Sequence, residues 1–167
     1  MYNLKNILVT TDLSELSAAA LEHTVAIASL TGATVHVMYV IESVPRYSVP
    51  AAEEESEKLL QDRGAMATKE MQEYLSGHDM KYKPLEVVIR RGHPYQEIVR
   101  YAREVPIDLI VIATHGRTGL AHIVMGSIAE KVVRYSPIPV LTVKPRALVE
   151  RLITQEDVEL DLHIHTT

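Results

Sequence analysis

The feature that most constrains this chain is a rhythm: short apolar, β-branched runs recur along it, separated by stretches of helical length. Ile107-Asp108-Leu109-Ile110-Val111-Ile112-Ala113 is the clearest run. A strand so continuously apolar must be buried on both faces, as strands of a parallel sheet are. Ile7 to Thr11 reads the same way, and Thr34 to Ile41, Leu85 to Ile89 and Pro139 to Val143 read as further strands. Between them, Leu16, Ala20, Ile27 and Leu30 fall at helical spacing, with Ser14 or Ser17 placed to cap the start and Gly32 the end. Glu53-Glu54-Glu55 opens a long polar helix to about Leu75, whose inner face is predicted to be Leu59, Met66, Met71 and Leu75. A short helix from Tyr95 to Arg103 and another from Gly126-Ser127 to Tyr135 complete the set. The alternation predicts an α/β fold: a doubly wound five-stranded parallel sheet with helices on both faces, Rossmann-like. Residues 1–146 form one domain, and 147–167 form a C-terminal extension.

Bulk properties exclude several classes. The 167 residues are 47% apolar, enough for one real core. The net charge of −5 argues against a nucleic-acid binder, for want of a broad basic face. With no cysteine there are no disulfides, thiolate zinc sites or cysteine nucleophiles. The opening Met1-Tyr2-Asn3-Leu4-Lys5 runs into a strand instead of a signal peptide, and no apolar run approaches the roughly 20 residues that span a bilayer. The expectation is a cytoplasmic protein without membrane association.

Ligands of an open parallel sheet bind beyond the carboxyl ends of its strands, where the strand order reverses. Two polar turns fall at such ends: Thr10-Thr11-Asp12, and Thr114-His115-Gly116-Arg117-Thr118-Gly119. Gly126-Ser127 at a helix start aims free amides and a positive dipole at one point, as a phosphate cradle does, and Ser127 adds a hydroxyl. The alternative is that these glycines only make turns and Ser127 only caps its helix. Asp12 likewise suits a ribose contact or a plain turn. His115 is placed either to touch phosphate or to stay solvated. His23, His36 and His93 read as surface or helix-face residues. There is no GxxxxGK[ST], GxGxxG or GxSxG. In the extension, Glu159, Asp161, His163 and His165 alternate opposite Val158, Leu160, Leu162 and Ile164, which reads as an exposed polar face sooner than as a metal site.

Over residues 4–144 the chain resembles the universal stress protein family. The resemblance rests on Ile7-Leu8-Val9-Thr10-Thr11-Asp12-Leu13-Ser14, on the fourth strand with its loop through Gly119, on Gly126-Ser127, and on Pro137 to Val143. ATP-binding members carry G-x2-G-x9-G-[ST]. Gly116, Gly126 and Ser127 match it, while Ala113 stands where the first glycine belongs and disfavours a positive φ. The resemblance implies adenine near Thr10, Val40 and Ile112, ribose at Asp12, and phosphates on amides around Gly116, Gly126, Ser127 and Ile128. Arg117 and Lys131 are available as phosphate charges. It implies ATP, with Mg or Mn accompanying the phosphates, and AMP or cyclic AMP as second choices. The expected role is nucleotide-dependent stress signalling without catalysis. Rival roles are a weak ATPase and a dimeric interaction protein with an empty pocket. A homodimer through the fifth strand is expected, besides a protein partner that the sequence does not name.

Overall fold

The computed structural model describes residues 3–42, 53–78, 81–115 and 125–145, with side chains described for these except 53–60. Nine elements alternate in the predicted order: β1 (Asn6–Thr11), α1 (Glu15–Thr31), β2 (Thr34–Glu42), α2 (Glu53–Gly77), β3 (Leu85–Gly92), α3 (Pro94–Glu104), β4 (Leu109–Ala113), α4 (Ser127–Tyr135) and β5 (Val140–Val143). The five strands form one parallel sheet in the order β3-β2-β1-β4-β5. The chain winds from the centre to one edge, crosses back, and winds to the other. Its reversal falls between β1 and β4.

Strand pleating assigns the two cores. Ile7, Val9, Val35, Val37, Val111 and Ala113 face α1 and α2, with Leu21 and Met71 packed on them. Leu8, Met38, Ile110 and Ile112 face α3 and α4, against Ile98, Tyr101 and Val132. Ile7, Leu8 and Val9 are fully buried, as a strand covered on both faces requires. Asp108 ties the sheet's amino-terminal end, its Oδ2 accepting from the amides of Lys5 and Asn6 at 2.7 and 2.9 Å.

Two expectations are corrected. On α2, Met71 is buried and Leu75 packs against the core as expected, but Met66 is 62% exposed, and Ala67 and Tyr74 face inward with them. Ala67 and Met71 are four residues apart and share a helix face, which turns Met66 outward. Leu59 lies among the residues whose side chains are not described. The second is His36, which is buried rather than at the surface. It sits within β2, and a strand covered on both faces buries whatever it carries.

His36 is fully partnered. Asn6 Nδ2 donates to the Pro106 carbonyl, so Asn6 Oδ1 is the atom facing the ring and accepts from His36 Nε2 at 3.4 Å. Nδ1 then accepts from the Tyr101 hydroxyl at 2.9 Å. Burial pushes the His36 pKa below 6.5, and Glu86, with Oε2 at 3.3 Å, opposes this in part. A folded-state pKa below the unfolded one means that the unfolded chain takes up the proton first. The stability owed to neutral His36 is therefore complete above pH 6.5 and is lost as pH falls toward the lowered folded value. Urea midpoints at about pH 7.5 and about pH 5.5 should show a drop in the parent that His36→Gln makes smaller.

Candidate functional site

The site is assembled from the carboxyl ends of β1, β2 and β4 and from the start of α4. Thr10 pairs with Ile112 across the β1–β4 ladder and with Met38 across the β1–β2 ladder. Two-residue periodicity puts Thr10, Val40 and Ile112 on the α3–α4 face, and all three are buried. They form an apolar floor with one hydroxyl. Ala113 points the other way, toward α1. It is an ordinary strand residue paired with Val143. Among the described non-glycine residues only Leu13 has a positive φ, so the backbone at 113 makes no demand for glycine.

At the end of β1 the chain turns sharply. Leu13 adopts φ 66° and packs its side chain into the α1–α2 core. Asp12 Oδ1 accepts from the Ser14 amide at 3.1 Å and from the Ser14 hydroxyl at 2.6 Å. Asp12 is thus a turn former, half-buried beside the crevice. Ser14 is the N-cap of α1, its Oγ accepting from the Ser17 amide at 3.2 Å.

The start of α4 is fastened to the sheet. The Thr114 amide donates to Val143 O at 2.8 Å, and Thr114 O accepts from the Gly126 amide at 2.7 Å. One peptide thereby joins β4, β5 and α4. A Cβ at Gly126 would stand 3.0 Å from Thr114 O. The requirement for glycine here is close approach, and not a positive φ, since Gly126 has φ −64°. Gly126 is the N-cap, and among the described residues no side chain caps the helix. Ser127 is the first helical residue and is exposed, so it does not cap the helix. The first-turn amides of Ser127, Ile128 and Ala129 therefore lack an intrahelical acceptor and point out of the helix end. Such an end fits an anion.

Other predicted residues fall elsewhere. His115 is buried, not solvated, with Nδ1 3.0 Å from Thr114 Oγ1. Lys131 lies over the Tyr95 ring at 5.1 Å, in the α3–α4 seam. Gly116 and Arg117 lie outside the described residues, as do Glu159, Asp161, His163 and His165. Among the described residues no cluster of three or more His, Asp or Glu side chains is arranged to hold a metal. His93, at the N-cap of α3, and His23 are exposed as expected. A groove of about 580 Å³ that sequence reasoning missed lies on the α1–α2 side, bounded by Leu13, Glu15, Glu70, Glu73, Tyr74, Gly77 and His78.

Fold and crevice together define a doubly wound α/β protein with an uncapped helix start at its topological switch point. Residues 3–144 match the model of the universal stress protein family, and the chain belongs to that family. It is 35% identical over 142 residues to universal stress protein MJ0531 of Methanocaldococcus jannaschii, covering 84% of this chain and 82% of that one. Universal stress protein MJ0577 of the same organism is 31% identical over 156 residues, covering 84% and 94%. Among solved structures, UspA from Lactobacillus plantarum superposes with a TM-score of 0.71 at 30% identity, covering 84% of this chain and 98% of that one. The structure of MJ0577 gives 0.71 at 33% identity, covering 86% and 96%.

Ser14→Ala removes both the α1 cap and a partner of Asp12. It should cost about 1 kcal/mol in urea denaturation, the usual worth of an N-cap.

Proposed function

We propose that this chain is an ATP-binding universal stress protein that works as a nucleotide-dependent stress-response module in the cytoplasm, with negligible turnover. The observation that carries the reading is the start of α4. Its amides are uncapped, it is fixed to the end of β4 through Thr114, and it keeps a glycine where a side chain would meet backbone. Phosphates would lie on the amides of Ser127 and Ile128, together with Gly116 and Arg117 of the preceding loop. Adenine would rest on Thr10, Val40 and Ile112, and ribose would meet Asp12. A Mg or Mn ion would be held chiefly by the phosphates. AMP and cyclic AMP share the nucleoside half of this site and are the second choice. Hydrolysis needs a positioned water and a charge clamp. Lys131, one candidate for the clamp, is engaged with Tyr95. Extension 147–167 is an accessory to assembly, outside the pocket.

Calorimetry with ATP and AMP tests the pocket. Gly126→Val should abolish binding while the fold survives, because the branched side chain displaces the α4 start from Thr114 O. Ser127→Ala should cost about 1.5–3 kcal/mol if its hydroxyl meets a charged phosphate. Ala113→Gly should leave the preference between ATP and AMP unchanged, since residue 113 is regular strand. ATP binding by Gly126→Val equal to the parent's would remove the basis of the reading.

The same proposal includes a homodimer through β5. Of the two sheet edges, β3 carries Glu86, Arg90 and Arg91, which discourage pairing, whereas β5 is Val-Leu-Thr-Val with Leu141 37% exposed. Light scattering at micromolar concentration should give twice the 18.7 kDa chain mass; a monomer would exclude this pairing.

A further inference from the structure

We propose that Tyr74, on α2, is a positioning residue for the nucleotide loop: its hydroxyl completes the hydrogen bonding of Ser17 and so holds the turn that presents Asp12. This rests on the nucleotide reading above and extends it to a helix on the other side of the sheet.

Ser17 is buried, and its hydroxyl is a junction. It donates its one proton to the Ser14 carbonyl at 2.7 Å, since a carbonyl only accepts. Its remaining contacts, Thr11 Oγ1 at 2.7 Å and Tyr74 Oη at 3.1 Å, must then donate to it. Two donors fill its two lone pairs. Thr11 Oγ1, having given its proton to Ser17, accepts from the Leu13 amide at 2.9 Å. The proton directions are thus determined throughout the cluster, and among the described residues no buried side-chain polar atom lacks a partner.

Two segments far apart in sequence meet at Ser17: the end of β1 with its Asp12–Ser14 turn, and α2. The turn needs holding, because Leu13 occupies a left-handed conformation that a branched side chain disfavours. Thr11 fixes the Leu13 amide, and Ser17 fixes the Ser14 carbonyl. Between those anchors lies Asp12, with Oδ1 already set by Ser14. Tyr74 packs its ring in the α1–α2 core and adds the one bond that comes from outside this local segment. Burial pushes its phenol pKa up, outweighing the opposite pull of its hydrogen bonding with Ser17 and Thr11, and the charges of Asp12 and Glu15 add to the rise, so the hydroxyl keeps its proton at neutral pH. Tyr74 also lines the α1–α2 groove beside Leu13, so the loop's support is exposed to whatever occupies that groove.

Tyr74→Phe deletes the hydroxyl and keeps the ring. ATP calorimetry on the parent, Tyr74→Phe, Asp12→Ala and the double variant separates positioning from general support. Tyr74→Phe should weaken ATP about 3- to 10-fold, the worth of one neutral hydrogen bond. The double variant should bind no more weakly than Asp12→Ala, because Tyr74 acts through Asp12. Deuterium exchange at the Leu13 amide should quicken in Tyr74→Phe without ligand. Unchanged ATP affinity, a loss that persists in full without Asp12, or unchanged exchange at Leu13 would overturn the proposal while leaving the nucleotide reading intact. A parent that binds no ATP would defeat that reading and, with it, the role of Tyr74.

Discussion

Everything in this structure depends on the double burial of β1. Ile7, Leu8 and Val9 have no exposed surface, and parallel partners bond to both edges of the strand. A central strand with two covered faces forces the chain to place helices on both sides. It also forces the chain to leave from the centre in one direction and return in the other. The gap at β1 and β4 follows from that path, because the connections after these two strands depart to opposite faces. The crevice is therefore a by-product of burying the core, and function occupies space that the topology leaves open.

Around that gap, precision comes from short hydrogen bonds made by backbone at one lip and by small side chains at the other. At one lip, Thr114 joins two strands and a helix through its own amide and carbonyl. At the other, Asp12, Ser14 and Ser17 close a turn on themselves before α1 begins. Neither arrangement relies on exposed ion pairs, whose worth is small. Among the described residues, exposed pairs such as Arg134 with Glu130 and Lys69 with Glu73 lie on helix surfaces.

Much of this was legible in the sequence. Short apolar, β-branched runs separated by stretches of helical length are a pattern that few other structures tolerate, so all five strands and their order of alternation could be read directly, edge strands included. Helix ends were legible where a cap has a chemical signature, as at Ser14 and Gly32. The misreadings have physical causes. Met66 was placed inside for its hydrophobicity, whereas the helical period that buries Ala67 and Met71 turns it outward. His36 was placed outside for its polarity, although its position within a doubly covered strand dictated burial. Gly126 was legible as a helix start, but that it is also the place where two backbones touch was not. The Ser17–Tyr74 contact spans 57 positions and carries no local signal, so only the fold reveals it.

The bond from the Gly126 amide to Thr114 has a consequence for how such a chain can vary. It fastens both ends of the excursion formed by residues 115–125 at nearly one point. Lengthening a segment tethered in this way is cheap, about 0.6 kcal/mol for each doubling. Insertions or deletions there would leave the start of α4 where the sheet holds it. The donors of the helix start thus belong to the part of the molecule that the sheet fixes. Two relatives could differ widely in what surrounds a bound anion and still receive its charge at the same place.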